Sequence, residues 1–185
     1  MKHRVCPWWL GYWLLNPLRR WSQNPREILA PYVREGMTVL EPGPGMGFLT
    51  LELALLVGPT GRVVAVDVQP KMIDKLKQRL AKSGLNRRVE TRVAPAESMG
   101  LADLRGAVDF TAAFYVVHEF PDHGTFFAEV AEASKPGACV LLAEPKGHVK
   151  AAAFEAELEA AAKAGFSVAG RPNTRRSLTA LLKKM

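Results

Sequence analysis

The sequence predicts an α/β protein built on a doubly wound, largely parallel sheet, and three observations carry that expectation. Short apolar runs alternate with stretches of helical period, the pattern of repeated β-α units. One of those runs leads through a glycine-rich turn straight into a helix start, at residues 39–48. The chain closes on two weaker strands joined by a turn, which adds an antiparallel hairpin and makes the sheet mixed. With 185 residues, 48% of them apolar and 23% charged, there is enough to bury for one full core and no reason to expect disorder.

Thr38-Val39-Leu40-Glu41 reads as a first strand buried on both faces. A helix over Phe48 to Val57 follows and is ended by Gly58-Pro59. Arg62 to Asp67 is the second strand. Pro70 then opens a helix at a position where proline is tolerated, with Met72, Ile73, Leu76 and Leu80 on one face and Gly84 closing it. Val89 to Ala94 alternates like a strand near a sheet edge. Val108 to Tyr115 and Ala138 to Glu144 are the fourth and fifth strands. Between them a helix starts near Asp122, turns Phe126, Phe127 and Val130 inward, and stops before Pro136-Gly137. Ala151 to Ala164 is a further helix held to the sheet by Phe154 and Leu158 and capped by Gly165. Phe166 to Gly170 and Ser177 to Leu182 form the closing hairpin around Arg171-Pro172-Asn173.

No apolar run reaches the roughly 20 residues of a membrane span. The segment Cys6 to Leu15 follows Met1-Lys2-His3-Arg4 but contains Pro7 and three tryptophans and leads to no small-residue cleavage site, so it is not read as a signal peptide. Two distant cysteines, Cys6 and Cys139, make neither a disulfide framework nor a metal array, and His3 with Cys6 supplies too few ligands; no metal is expected, and a reducing cytoplasm is. The net charge of +7 suits solubility and steering, and also an anionic partner such as RNA or a membrane surface. All four tryptophans, Trp8, Trp9, Trp13 and Trp21, precede the sheet. With Tyr12, Leu14 and Leu15 they form a helical aromatic arm over 1–35, read as a lid over an acceptor pocket, as packing on a sheet edge, or as a membrane-interface segment. The remaining 36–185 is the ligand-binding domain. Nothing in the sequence fixes an oligomeric state.

In an open α/β sheet the ligand lies beyond the carboxyl ends of the strands. Glu41-Pro42-Gly43-Pro44-Gly45-Met46-Gly47 stands at such an end. Its glycines let the backbone approach a ligand, and the helix start offers free N–H groups. A dinucleotide fingerprint needs a sixth-position glycine, yet counting from Gly43 that place holds Phe48, and no lysine follows as in a phosphate-binding loop. The loop therefore suits a nucleoside-type ligand better than a pyrophosphate. Asp67 ends the second strand 24 residues after Gly43, where a carboxylate can take both ribose hydroxyls.

With Glu41-x-Gly43-x-Gly45-x-Gly47, Val66-Asp67, Ala96-Glu97-Ser98, Phe114 to Asp122 and Ser134-Lys135-Pro136-Gly137 in order, the chain over 36–185 resembles the class I S-adenosylmethionine-dependent methyltransferases. It looks closest to their small-molecule branch, which includes the ubiquinone/menaquinone and arsenite methyltransferases. The resemblance implies a Rossmann-like seven-stranded sheet whose last strand is antiparallel. It also implies S-adenosylmethionine held by Glu41, Gly43, Pro44, Gly45, Met46, Gly47, Asp67, Val68, Ala96, Glu97 and Phe114. Ala94-Pro95 replaces the family's Gly-Asp, and Ser134 and Ala138 replace a Leu and a Gly of the turn before the fifth strand.

The acceptor side is expected from Trp13, Tyr115, His118, Glu144, Lys146 and His148, with His118 as a proton acceptor near neutrality. For these the rival roles are a loop histidine on the surface or bonded to backbone, and a structural Glu144–Lys146 pair. A small-molecule acceptor is preferred to RNA, because Phe114-Tyr115-Val116-Val117 stands where a base-methylating Asn/Asp-Pro-Pro-Tyr would. A non-catalytic module acting through the tryptophan arm is the third reading. Arsenite is disfavoured as acceptor, since neither cysteine has a near partner.

Overall fold

The structure, a computed structural model, describes residues 23–185. Trp13, the other tryptophans, Cys6 and most of the expected arm lie outside the described residues. Those described fall into two compact units, 23–94 and Pro95–Met185.

In the unit 23–94, α1 (Pro25–Leu29) is capped by the Asn24 side chain, which accepts from the Arg26 amide. The strands β1 (Thr38–Pro42), β2 (Arg62–Asp67) and β3 (Val89–Val93) run parallel, with Leu40 opposite Val64 and Val64 opposite Glu90. β1 and β2 are buried almost throughout, which is why both read as continuous apolar runs. β3 is buried at one position in five, at Val89, as an outer strand can be, and does not show the alternation its sequence suggests. α2 spans Thr50–Leu56, two residues shorter at its start than the sequence suggests, because residues 45–49 are still turning out of the glycine loop.

α3 (Pro70–Lys82) buries Met72, Ile73, Leu76 and Leu80. Its end closes with two bonds, Leu85 N–H to the Leu80 carbonyl at 3.0 Å and Gly84 N–H to the Ala81 carbonyl at 3.2 Å. That pair satisfies two carbonyls a helix end would otherwise orphan.

In the unit Pro95–Met185, β4 (Val108–Phe114) and β5 (Ser134–Pro145) pair in parallel. Between them α4 (His123–Ala133) starts on Asp122, whose carboxylate accepts from the Gly124 and Thr125 amides, and buries Phe126, Phe127 and Val130 as expected. One expectation is corrected here. Ser134-Lys135-Pro136-Gly137, read as a turn before the fifth strand, belongs to the strand itself, which begins at Ser134. The register shifts between Val108 and Phe110, so the strand absorbs Pro136 and Gly137 in an irregularity instead of ending there. α5 (Ala151–Lys163) packs on α4 and on β6 (Phe166–Gly170). β7 (Ser177–Lys184) lies between β5 and β6, antiparallel to both. The strand order of the seven-stranded sheet is β3-β2-β1-β4-β5-β7-β6, the mixed architecture the hairpin predicts. Among the described residues no helix is long and apolar enough to cross a membrane.

Candidate functional site

In the unit 23–94 the glycine loop is a sequence of short bonds between β1 and β2. Gly43 N–H donates to the Val66 carbonyl at 2.8 Å and Gly47 N–H to the Pro44 carbonyl at 2.9 Å. Gly43, Gly45 and Gly47 all have positive φ, at 62°, 53° and 85°. Two of them differ in what a side chain would meet. A Cβ on Gly47 would fall 2.6 Å from Leu76 Cδ1 and 3.0 Å from Leu51 Cδ1, so this glycine admits the packing of α3 and α2. Among the described residues a Cβ on Gly45 would meet nothing within 4 Å, so that position is open on their side. The loop's back is held by Arg79 of α3, whose guanidinium donates to the Met46 carbonyl and, at 3.1 Å, to the Gly47 carbonyl. Pattern reading missed Arg79, which lies 32 residues from Gly47 in sequence and carries no local signal.

Asp67 ends β2 and is bound to this loop. Its Oδ2 accepts from the Gly45 amide at 3.2 Å and its Oδ1 from the Gln69 amide at 2.8 Å. Burial raises its pKa above the ordinary carboxylate value, while amides from Gln69, Gly45 and Val68 pull the other way. A carboxylate has about four lone-pair sites, so these amides still leave it able to accept from a hydroxyl donor.

Glu41, at the end of β1, is 3% exposed. Burial, helped by the nearby Asp67 charge, lifts its pKa to about 8, and the adjacent Thr50 hydroxyl offsets only part of that. Among the described residues its buried Oε2 and the Thr50 Oγ1 have no hydrogen-bond partner. An unpartnered buried carboxyl oxygen costs roughly 1–3 kcal/mol unless something arrives to satisfy it.

These features fit S-adenosylmethionine. The orphaned Glu41 oxygen suits the ammonium of its methionine end, the open face of Gly45 admits its backbone, and Asp67 suits its ribose diol. Pro44 and Met46 are buried and Val68 is half-buried beside them.

In the unit Pro95–Met185 the predicted acceptor-side residues separate into two groups. His118 lies in a short 3-10 turn, Val117–Glu119, just past β4. Its Nδ1 is 2.6 Å from Glu144 Oε2. Glu144, near the end of β5 and fully buried, also accepts from the Val117 and His118 amides at 2.9 and 3.3 Å through Oε1. Burial tends to lower the His118 pKa, but the Glu144 hydrogen bond and the charges of Glu144 and Glu119 outweigh it, and the net shift is upward. The His118 and His148 rings meet in a T-shaped, edge-to-face contact with centroids 5.0 Å apart. The rival roles are thus corrected: Glu144 pairs with His118, not with Lys146, and His118 is bonded to a carboxylate. The Lys146 side chain is exposed, and its amide donates to the Arg176 carbonyl at 2.9 Å.

Tyr115 follows β4 with φ of 60°, an uncommon conformation for an aromatic residue. Its amide reaches the Ala143 carbonyl at 2.8 Å and its hydroxyl lies 2.7 Å from Ser177 Oγ, which fixes the backbone leading to His118. Phe114 is buried against Tyr115, Ala96 is half-buried, and Glu97 is exposed.

One carboxyl escaped sequence reading. Glu157 on α5 is fully buried, neither of its oxygens has a hydrogen-bond partner among the described residues, and burial with the Glu144 charge lifts its pKa to about 8. The signal was present: Phe154, Glu157, Leu158 and Ala161 are spaced as one inward helical stripe.

Comparison with known proteins agrees with this geometry. A family described as a methyltransferase domain matches residues 33–179. The chain is 31% identical over 121 residues to an arsenite methyltransferase of Halobacterium salinarum, covering 65% of this chain and 30% of that protein. It is 31% identical over 112 residues to the ubiquinone/menaquinone biosynthesis C-methyltransferase UbiE of Klebsiella pneumoniae, covering 60% and 44%. The chain thus spans less than half the length of these relatives. Among solved structures, a SAM-dependent methyltransferase from Aquifex aeolicus superposes with a TM-score of 0.86 at 24% identity, over 98% of this chain and 100% of that one. With the family matched over most of its length and the fold shared, the chain belongs to the methyltransferase-domain family.

Proposed function

We propose that this chain is an S-adenosylmethionine-dependent methyltransferase acting on a small-molecule acceptor. The observation that carries the reading is the buried Glu41 carboxyl with an unpartnered oxygen, beside a glycine loop tied to Asp67 by the Gly45 amide. Glu41 would hold the ammonium of the cofactor, Asp67 its ribose, and Gly43 to Gly47 its methionine backbone. Val68, Ala96, Glu97 and Phe114 are the candidates for its adenine side. When bound, the cofactor supplies a methyl group already activated by its sulfonium.

What remains for the protein is to hold the acceptor in line and to manage its proton, and orientation alone can supply roughly 7–11 kcal/mol in favourable cases. His118 is the candidate for the proton, with Glu144, His148, Tyr115, Lys146 and Trp13 as candidates for acceptor contact. The two named relatives act, by their names, in arsenite methylation and in quinone biosynthesis, which supports a small molecule. Cysteine usage supports a reducing compartment, and we take the cytoplasm as its place.

Titration calorimetry with S-adenosylhomocysteine tests the reading. Binding in the micromolar range, with a proton released as Glu41 ionises, is the expected result. No heat at high micromolar ligand overturns it.

A further inference from the structure

The two halves of the glycine loop in the unit 23–94 are held from different elements. Gly43, Gly45 and Gly47 all have positive φ. Glycine gives up more chain freedom on ordering than any other residue, so such a loop keeps one shape only where bonds from outside hold it. β2 supplies two of those bonds: the Val66 carbonyl takes the Gly43 amide and the Asp67 carboxylate takes the Gly45 amide. The second half, Met46 and Gly47, precedes α2, which begins only at Thr50, and is held from α3.

α3 acts there with two side chains of one helix face, three residues apart. Leu76 occupies the place where a Cβ on Gly47 would stand. Arg79 donates through a single nitrogen, Nη1, to the Met46 and the Gly47 carbonyls. Two neighbouring carbonyls that share one donor must turn to the same side. The peptide group is planar and here trans, so a carbonyl drawn towards α3 sends the next amide the opposite way. The Gly47 amide shows the result, since it donates to the Pro44 carbonyl at 2.9 Å and closes the turn. The other end of α3 is tied as well, because its N-cap Gln69 donates its amide to Asp67 Oδ1 at 2.8 Å. One helix thus joins the carboxylate that ends β2 to the far half of the loop.

We infer that Arg79 is a positioning residue for the amino-acid end of the cofactor: by clasping the Met46 and Gly47 carbonyls it presets the half of the loop that β2 does not hold. This rests on the S-adenosylmethionine reading of the loop. Arg79 acts through the backbone and not by touching the ligand. A guanidinium suits the task, because its N–H groups are fixed in a rigid plane and can meet two carbonyls at once, whereas a lysine ammonium ends a flexible stem. A loop ordered in advance has less freedom left to lose when its ligand arrives, so the clasp is read out as affinity. The effect is specific: it falls on ligands that carry the amino-acid end and spares those that engage Asp67 alone.

Calorimetry on the whole chain with two ligands separates this role from simple support of the fold. S-adenosylhomocysteine carries the amino-acid end; 5′-methylthioadenosine has the same nucleoside and sulfur without it. Arg79→Met is expected to bind the first about 10–100-fold more weakly than the parent and the second within about threefold of it. Arg79→Lys, which keeps a cation and donors, is expected to fall between parent and Arg79→Met for S-adenosylhomocysteine. Equal losses for both ligands, a loss of S-adenosylhomocysteine affinity under about threefold, or a Lys variant no tighter than the Met variant overturns the inference. One readout needs no variant. In the unaltered chain without ligand, the Gly47 amide is expected to exchange its hydrogen at least about 100-fold more slowly than in a free peptide, by NMR in heavy water. Exchange at the free-peptide rate means that nothing holds this half of the loop in advance, and overturns the inference too. A parent that binds S-adenosylhomocysteine while any of these failures occurs sinks the inference alone. A parent that binds neither ligand sinks the S-adenosylmethionine reading with it.

Discussion

Two regions of this chain each place a buried glutamate at the end of a strand, and they treat it in opposite ways. Glu41, near the end of β1, has an oxygen with no hydrogen-bond partner among the described residues and a pKa lifted to about 8. Glu144, near the end of β5, receives two backbone amides and the ring of His118. A carboxyl left unsatisfied is ready for a donor from outside. A carboxyl saturated by its own chain serves to orient what it holds. The contrast supports the proposal that the first region takes a ligand, and shows the second holding the His118 ring.

The comparison can be broken in the first region most directly at Asp67. Asp67→Ala removes both the ribose acceptor and the tether on Gly45, and S-adenosylhomocysteine affinity is expected to fall about 100-fold, roughly 3 kcal/mol, by calorimetry. A drop of less than threefold would leave the loop without its assigned ligand.

Glu41→Gln comes next. Burial keeps Glu41 protonated well above the usual carboxylate range, so a cationic ligand must displace its proton. Affinity of the parent chain is expected to tighten as pH rises from about 6 towards 8, by up to about tenfold per unit. The Gln variant should bind about 10–50-fold more weakly at pH 8 and show a flat pH dependence.

Glu157→Met sharpens the second region through stability. The folded-state pKa of Glu157 is raised from 4.5 to about 8, so between those values the folded chain retains a proton the unfolded chain releases. Stability of the parent is therefore highest below the unfolded value and is lost as pH climbs through that window. Methionine, on a stripe with Phe154, Leu158 and Ala161, does not titrate. It is expected to add about 1–3 kcal/mol at pH 8 and much less at pH 5, by chemical denaturation.

Gly47→Ala has the smallest expected effect. Its new Cβ meets the ends of two leucine side chains that can shift, and its φ of 85° adds strain, for a loss of about 1–2 kcal/mol of stability. Gly45→Ala meets no atom, so it is expected to weaken ligand affinity more than folding. The reverse ranking would mean that the open face at Gly45 is not where a ligand approaches.

The sequence by itself determined the order and type of nearly every strand and helix, because buried parallel strands read as apolar runs and helices as 3.6-residue stripes. It also marked the glycine loop proposed to take the cofactor, since Glu41, Gly43, Gly45 and Gly47 lie within seven consecutive residues and their spacing is itself the signal. It misplaced the start of β5, because Pro136-Gly137 has the same letters in a turn as in a strand irregularity. Only the tertiary structure decided that Glu144 serves His118 and not Lys146, that Arg79 clasps the loop from behind, and that Glu157 is buried beside a second carboxyl. Those partners lie 26, 32 and 13 residues apart in sequence, and pairing at such distances is set by how the elements pack, which local pattern does not encode.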